Sequence, residues 1–197
     1  MKKFTILIPV YNDWESLKKL LKNINDNIKD FLNAEFNCII VNDSSTINGF
    51  DMKIPSYIKS IKIINMNKNR GHARCNAFGI KYISKHVDLD YAILMDSDGE
   101  DRPEELKLLV NKVLSEPDIS VVAKRVKRSE GFFFQSFYFI HKYLTLLTTA
   151  KLINFGNYSC LTKNDLKILS TKASLWSSFS GSFKKHIKKY NEINSLR

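Results

Sequence analysis

Two carboxylates separated by one serine, Asp96-Ser97-Asp98, close the apolar run Tyr91–Met95. A turn there lets both acids face one hard cation, directly or through water. Such a cation takes oxygen ligands and keeps positions open for phosphate oxygens. Glu100 and Asp101 add two more acids, and so dense a cluster repels itself unless a cation or basic group compensates. The plainer reading is a solvated acidic turn ahead of the helix that Pro103 begins. Asp43 stands in a similar place after Phe36–Val41. Its carboxylate can accept the imide N–H of a uracil or the amide edge of a guanine, or can close the strand as an Asx-turn.

Two other acidic motifs are excluded. A calcium-binding EF-hand loop beginning at Asp96 needs glycine at position 101 and glutamate at 107, where Asp101 and Lys107 stand. Haloacid-dehalogenase phosphatases also run a strand into Asp-x-Asp-Gly, usually on the first strand and continuing into Thr or Val. Here the motif follows the fourth strand and meets Glu100. His72, His86, His141 and His186 are scattered, with no Ser–His or His–carboxylate pairing, and each reads as structural or exposed.

The elements that position these acids follow from the apolar pattern. Phe4–Pro9, Phe36–Val41, Ile61–Met66, Tyr91–Met95 and Ile119–Ala123 read as buried strands. Leu17, Leu20, Leu21 and Ile24 recur at helical spacing after Asn12, with Glu15 placed as its capping-box partner. Ala73, Ala77 and Ile80 continue a second helix after Gly71, and Leu106, Leu109, Val110 and Val113 a third after Pro103. Strands alternating with helices imply an α/β fold with a mostly parallel central sheet flanked by helices. Ligands in such sheets gather beyond the carboxyl ends of the strands, which is where the unusual residues stand.

The chain has 197 residues, 44% apolar and 26% charged, enough for one core and one domain. Cys38, Cys75 and Cys160 are odd in number and lack a C-x-x-C pattern, which suits a reducing compartment. Met1–Val10 reads as a first core strand rather than a leader, its apolar run being short and followed by Tyr11-Asn12-Asp13. Residues 1–123 hold 17 Lys+Arg and 17 Asp+Glu, whereas residues 124–197 hold 14 and 3, the whole net charge of +11. That asymmetry points to an anionic partner or to a solvated basic surface. The apolar stretch 132–153 contains Gln135, His141, Lys142 and Lys151, which argue against a spanning helix. It reads as an amphipathic helix on a membrane or as a helix docked on the core. No aromatic-interleaved motif supports nucleic-acid binding.

The segments Ile6–Asp13, Val41-Asn42-Asp43-Ser44-Ser45, Asn69-Arg70-Gly71-His72-Ala73 and Met95–Glu104 resemble, in order, the motifs of family 2 glycosyltransferases. Within that family the chain is most similar to the dolichol-phosphate mannosyltransferase and polyprenyl-phosphate glycosyltransferase branch, over residues 4 to 165. The resemblance implies a GT-A fold in residues 1–165, followed by a short basic segment, 166–197. It implies nucleotide binding by Pro9, Val10, Tyr11, Asp13, Asp43, Gly71, Asp96 and Ser97, and catalysis through Asp96 and Asp98. It also implies Mg²⁺ or Mn²⁺ on Asp96, Asp98 and Glu100, and Lys124-Arg125 near the acceptor phosphate. The implied reaction is inverting transfer from a nucleotide sugar, UDP-linked in preference to GDP-linked, to a lipid phosphate. The implied location is cytoplasmic, peripheral on the anionic inner face of the cell membrane.

Asn42 departs from the usual acid pair, and Asn154-Phe155-Gly156-Asn157-Tyr158 stands where relatives carry a Thr-Ser-Gly-Phe-Arg-like segment, so acceptor contacts are expected to differ. Relatives also continue into a basic loop over the diphosphate. A degenerate nucleotide- or membrane-binding remnant and an Asp-nucleophile phosphatase are the alternatives.

Overall fold

The computed structural model of the protein describes residues 1–47, 51, 53–125 and 153–196. The strands are β1 (Lys2–Val10), β2 (Ala34–Asn42), β3 (Ile58–Asn65), β4 (Tyr91–Leu94), β5 (Ser120–Arg125), β6 (Phe155–Thr162) and β7 (Tyr190–Ser195). The α-helices are α1 (Trp14–Ile28), α2 (His72–His86), α3 (Leu106–Ser115), α4 (Lys163–Ser170) and α5 (Phe179–His186). One sheet holds the strands in the order β3-β2-β1-β4-β6-β5-β7. Only β6 runs antiparallel to its neighbours among these strands.

Alternation along the strands divides the core into two layers. Phe4, Ile6 and Ile8 of β1 join Phe36, Ile40 and Ile93 under α1 and α3. Leu7, Ile39, Val41, Ala92 and Leu94 face the other way, under α2, α4 and α5. Both faces are covered, which explains the nearly continuous apolar runs of β1 and β4. Phe4 ties the register of three strands, its ring 5.0 Å from Phe36 and 4.9 Å from Tyr91.

The expected α/β class and mostly parallel sheet hold, with differences in detail. β3 begins earlier than the apolar pattern implied and is only partly buried, as suits an edge strand. The N-cap of α1 is Asp13 rather than Asn12, its carboxylate accepting the Ser16 N–H at 3.3 Å. Asn12 is instead held at φ 57°, its side chain accepting from Thr46 and Ile47 N–H groups. A 3-10 turn, Pro103–Glu105, precedes α3, so Pro103 opens that turn rather than the α-helix itself.

The sequence reading lacks β6, β7 and the helices between them. β6 opens on Phe155-Gly156-Asn157 and is only partly buried at Gly156 and Asn157, and β7 is polar except for Tyr190 and Ile193. Residue 165 falls inside α4, and residues 166–196 supply α5 and the edge strand β7 to the same sheet. Glu105 ties that end back, accepting the Leu196 N–H at 2.8 Å. The stretch 132–153 lies outside the described residues except for Ile153. Among the described residues no helix is long and apolar enough to cross a membrane.

α2 lies directly on β1 because position 79 has no side chain. A Cβ added at Gly79 would meet the Leu7 side chain at 2.4 Å, and Leu7 is itself fully buried. Gly79→Ala is therefore expected to destabilise the domain by about 1–3 kcal/mol from overpacking, less roughly 1 kcal/mol of helix propensity. Leu7→Ala in the same chain should make the two changes less than additive. Urea denaturation of the single and double variants checks this.

Candidate functional site

β1 has β2 on one side and β4 on the other, with β3 beyond β2, so the strand order reverses direction at β1. Open α/β sheets form their binding crevice beyond the carboxyl ends of strands at such a switch. A cleft of about 360 Å³ lies there, lined by Pro9, Val10, Tyr11, Asp43, His72, Cys75, Asp96, Ser97 and Asp98.

One wall is clipped together by amides. Ser45 Oγ accepts the Asn12 N–H at 2.8 Å, and the indole N–H of Trp14 donates to the Ile47 carbonyl at 2.9 Å. Asn42, where an acid was expected, accepts the Ser45 N–H at 3.0 Å and donates to Asn65 Oδ1 at 2.8 Å. Tyr11, roughly half exposed, lines the cleft.

Asp43 is only 3% exposed. Its two oxygens accept the backbone N–H groups of Arg70 (2.7 Å) and Gly71 (2.8 Å), so the acid is built into the loop before α2. The bonding is not an Asx-turn, because the donors lie 27 and 28 residues away. Gly71 then caps α2 at φ 84°, a conformation that favours glycine. The result aims the N-terminus of α2, with His72, at the cleft.

The opposite wall is the loop 96–102. Asp101, fully buried, accepts the Asp96 N–H at 2.8 Å, and Asp98 accepts the Glu100 N–H at 2.9 Å. Gly99 turns the loop at φ 81°. His72 Nε2 lies 2.9 Å from Asp96 Oδ1, and the Asn157 amide donates to the same oxygen at 3.1 Å. The bond to Asp96, with Asp98 and Asp101 nearby, raises the His72 pKa against the opposing effect of burial. The Asn76 amide nitrogen is 3.0 Å from the same Nε2, while its buried oxygen has no partner among the described residues. Burial first, then Asp43, pushes the Cys75 thiol up to about 12, so it stays a thiol in the cleft wall.

The expected residues divide clearly. Pro9, Val10, Tyr11, Asp43, Asp96, Ser97 and Asp98 are brought together on the cleft. Asp13 is exposed and spent on capping α1, and Gly71 acts through its backbone. Glu100 does not line the cleft, which leaves Asp96 and Asp98 as the acids of that loop facing it, across from Asp43. Lys124 and Arg125 end β5, separated from β4 by β6, and do not line the cleft; Lys124 pairs with Glu192 at 3.4 Å. His72 is the main omission, since it belongs to the cleft rather than to scattered structural histidines. Its position directly after Gly71, at a helix start facing the strand ends, is the signal that could have marked it.

A divalent cation fits this donor set only in one manner. Among the described residues no group of three or more His, Cys, Asp or Glu side chains is gathered for an ion. The pair Asp96 and Asp98 suits an ion such as Mg²⁺ that takes one or two protein acids and completes its shell with phosphate oxygens and water.

Residues 5–179 match the family model for glycosyl transferase family 2. The chain belongs to that family. Solved structures share the fold of this family 2 chain. They include S. aureus TarS 1–349, with TM-score 0.60, 15% identity, 100% of this chain and 60% of that one covered. The mannosyltransferase PcManGT from Pyrobaculum calidifontis, in complex with GDP-Man and Mn²⁺, gives 0.59 at 17% identity, covering 98% and 54%. TarS 1–349 in complex with UDP-GlcNAc gives 0.56 at 17% identity, covering 100% and 59%. The chain thus spans little more than half the length of these neighbours.

Asp43→Ala removes the acceptor for two backbone N–H groups at once. Its expected result is faster hydrogen exchange at the Arg70 and Gly71 amides and a stability loss of about 1–3 kcal/mol, reduced where water replaces the carboxylate. Exchange measured residue by residue by NMR checks this: the Arg70 and Gly71 amides should speed up more than the core amides of β1, which report only the global loss.

Proposed function

We propose that this family 2 domain transfers a sugar with inversion from a nucleotide diphosphate donor, a UDP-sugar in preference to a GDP-sugar, to a polyprenyl phosphate. The observation that carries the reading is the cleft at the strand switch, where Tyr11 and Asp43 face Asp96 and Asp98. Two neighbours of the same fold hold nucleotide sugars, TarS UDP-GlcNAc and PcManGT GDP-Man with Mn²⁺.

The residues divide the work. Tyr11 offers a ring face to the base, and the carboxylate of Asp43, anchored on the Arg70–Gly71 backbone, lies beside it as an acceptor. Asp96 and Asp98 would hold Mg²⁺ or Mn²⁺, which supplies positive charge against the departing diphosphate. In the transfer, an acceptor phosphate oxygen bonds to the anomeric carbon as its bond to the donor diphosphate breaks, releasing the nucleoside diphosphate. A phosphate acceptor is already ionised at neutral pH, so the step requires no strong general base. Lys124 and Arg125, at the same sheet edge, are the proposed phosphate contacts, with Lys124 exchanging its Glu192 partner. The polyprenyl-phosphate branch and the cytoplasmic membrane face rest on the motif resemblance and on the basic residues 124–197.

Mn²⁺ together with UDP is expected to raise the melting temperature, GDP to do so less, and UDP without metal hardly at all. Asp98→Asn should abolish most of that shift. An Asp98→Asn variant stabilised as strongly as the wild type in excess Mn²⁺ would remove the metal role, and a turnover assay separates transfer from binding alone.

The basic residues of 124–197 should also take the chain to anionic vesicles at low salt, at roughly 1 kcal/mol per basic residue near the surface. Co-sedimentation should weaken as salt rises and be slight with neutral vesicles. Replacing Lys124, Arg125, Lys127 and Arg128 by Gln should weaken it further.

A further inference from the structure

β6 grips the acidic loop with two successive residues. Asn157 donates to Asp96 Oδ1 at 3.1 Å, with a longer 3.4 Å contact to Oδ2. Tyr158 donates its hydroxyl to the Arg102 carbonyl at 3.0 Å. Neighbouring strand residues point to opposite faces, so the two bonds hold the loop from both sides of the sheet. Tyr158 belongs to the core layer under α1 and α3, whereas Asn157 meets Asp96 on the side of His72 and α2. The loop is thus held at Asp96 by Asn157 and at Arg102 by Tyr158.

From this geometry we infer that Asn157 is a positioning residue for the metal-binding carboxylate: it sets the rotation of the Asp96 side chain. The inference rests on the proposed role of Asp96 as a cation ligand. Asp96 is only 7% exposed, so its orientation is decided by the donors around it rather than by water. Asn157 and His72 converge on one oxygen and thereby fix the plane of the carboxylate. A carboxylate already in plane binds a cation without first losing its rotation, which is the advantage of a supported ligand. An amide suits this place because it donates without bringing charge. A carboxylate at 157 would add a second anion beside Asp96, and a cation would relieve that repulsion.

The test is Mn²⁺ affinity, read by electron paramagnetic resonance titration of the metal alone and again in the presence of UDP, with melting temperature measured alongside. Asn157→Ala is expected to weaken Mn²⁺ binding 10- to 100-fold, the range found for outer partners of metal ligands, while the metal-free melting point changes little. Asn157→Asp should lower the metal-free melting point and gain more stabilisation from saturating Mn²⁺ than the wild type does. Asn157→Gln, with the amide one methylene further out, should recover part of the affinity lost by Ala. If Asn157→Ala melts lower but binds Mn²⁺ like the wild type, Asn157 is a packing residue and the inference fails, leaving the function of the site intact. Absence of Mn²⁺ binding by the wild type, with or without UDP, overturns both this inference and the metal role of Asp96.

Discussion

Carboxylates at the end of a parallel sheet need donors, and much of the active edge is arranged around that need. Asp43, Asp96 and Asp101 are all nearly or fully buried, and a buried charge without hydrogen bonds costs more than a domain of this size can spare. Each is met by groups from a different part of the chain. Asp43 takes the backbone before α2, Asp101 takes the backbone of Asp96, and Asp96 takes side chains from α2 and β6. Satisfying the three acids therefore also positions the start of α2, the turn of the acidic loop and the register of β6 against β4.

The same demand clarifies the departure at Asn42. An acid there could accept from the Ser45 N–H but could not donate to Asn65 Oδ1, unless Asn65 turned its own amide to donate. The amide fills both places with one side chain and leaves Asp43 as the carboxylate of that wall among the described residues lining the cleft. Asn42 is not among the residues lining the cleft, so the departure from the family pattern is local.

What could be read from residues alone was governed by burial. β1, β2 and β4 are covered on both faces, so their apolar runs stand out, and the acids after them had to sit at the strand ends. Asp96, Asp98 and Asp43 were legible for that reason. β6 and β7 were not, because polar residues interrupt their apolar runs: Asn157 serves the acidic loop, and Asn191, Glu192 and Asn194 lie on a sheet edge. A polar residue spent on a distant partner looks like loop until that partner is known. His72 escaped for a related reason, since its partner Asp96 lies 24 positions away and no spacing pattern links the two.

The antiparallel strand has a consequence for how the chain is made. Among the described residues β5 is bonded to β6 and β7 and to no strand of the first half, and β6 joins that pair to β4. While the chain is being synthesised, β3, β2, β1 and β4 can assemble as soon as residue 94 has emerged, but Val121, Val122 and Ala123 have no strand to join until residue 155 and beyond arrive. At about 5–20 residues per second that is a delay of seconds. Through it an apolar strand with open edges waits beside a finished half-sheet, the circumstance in which nascent chains pair with the wrong neighbour.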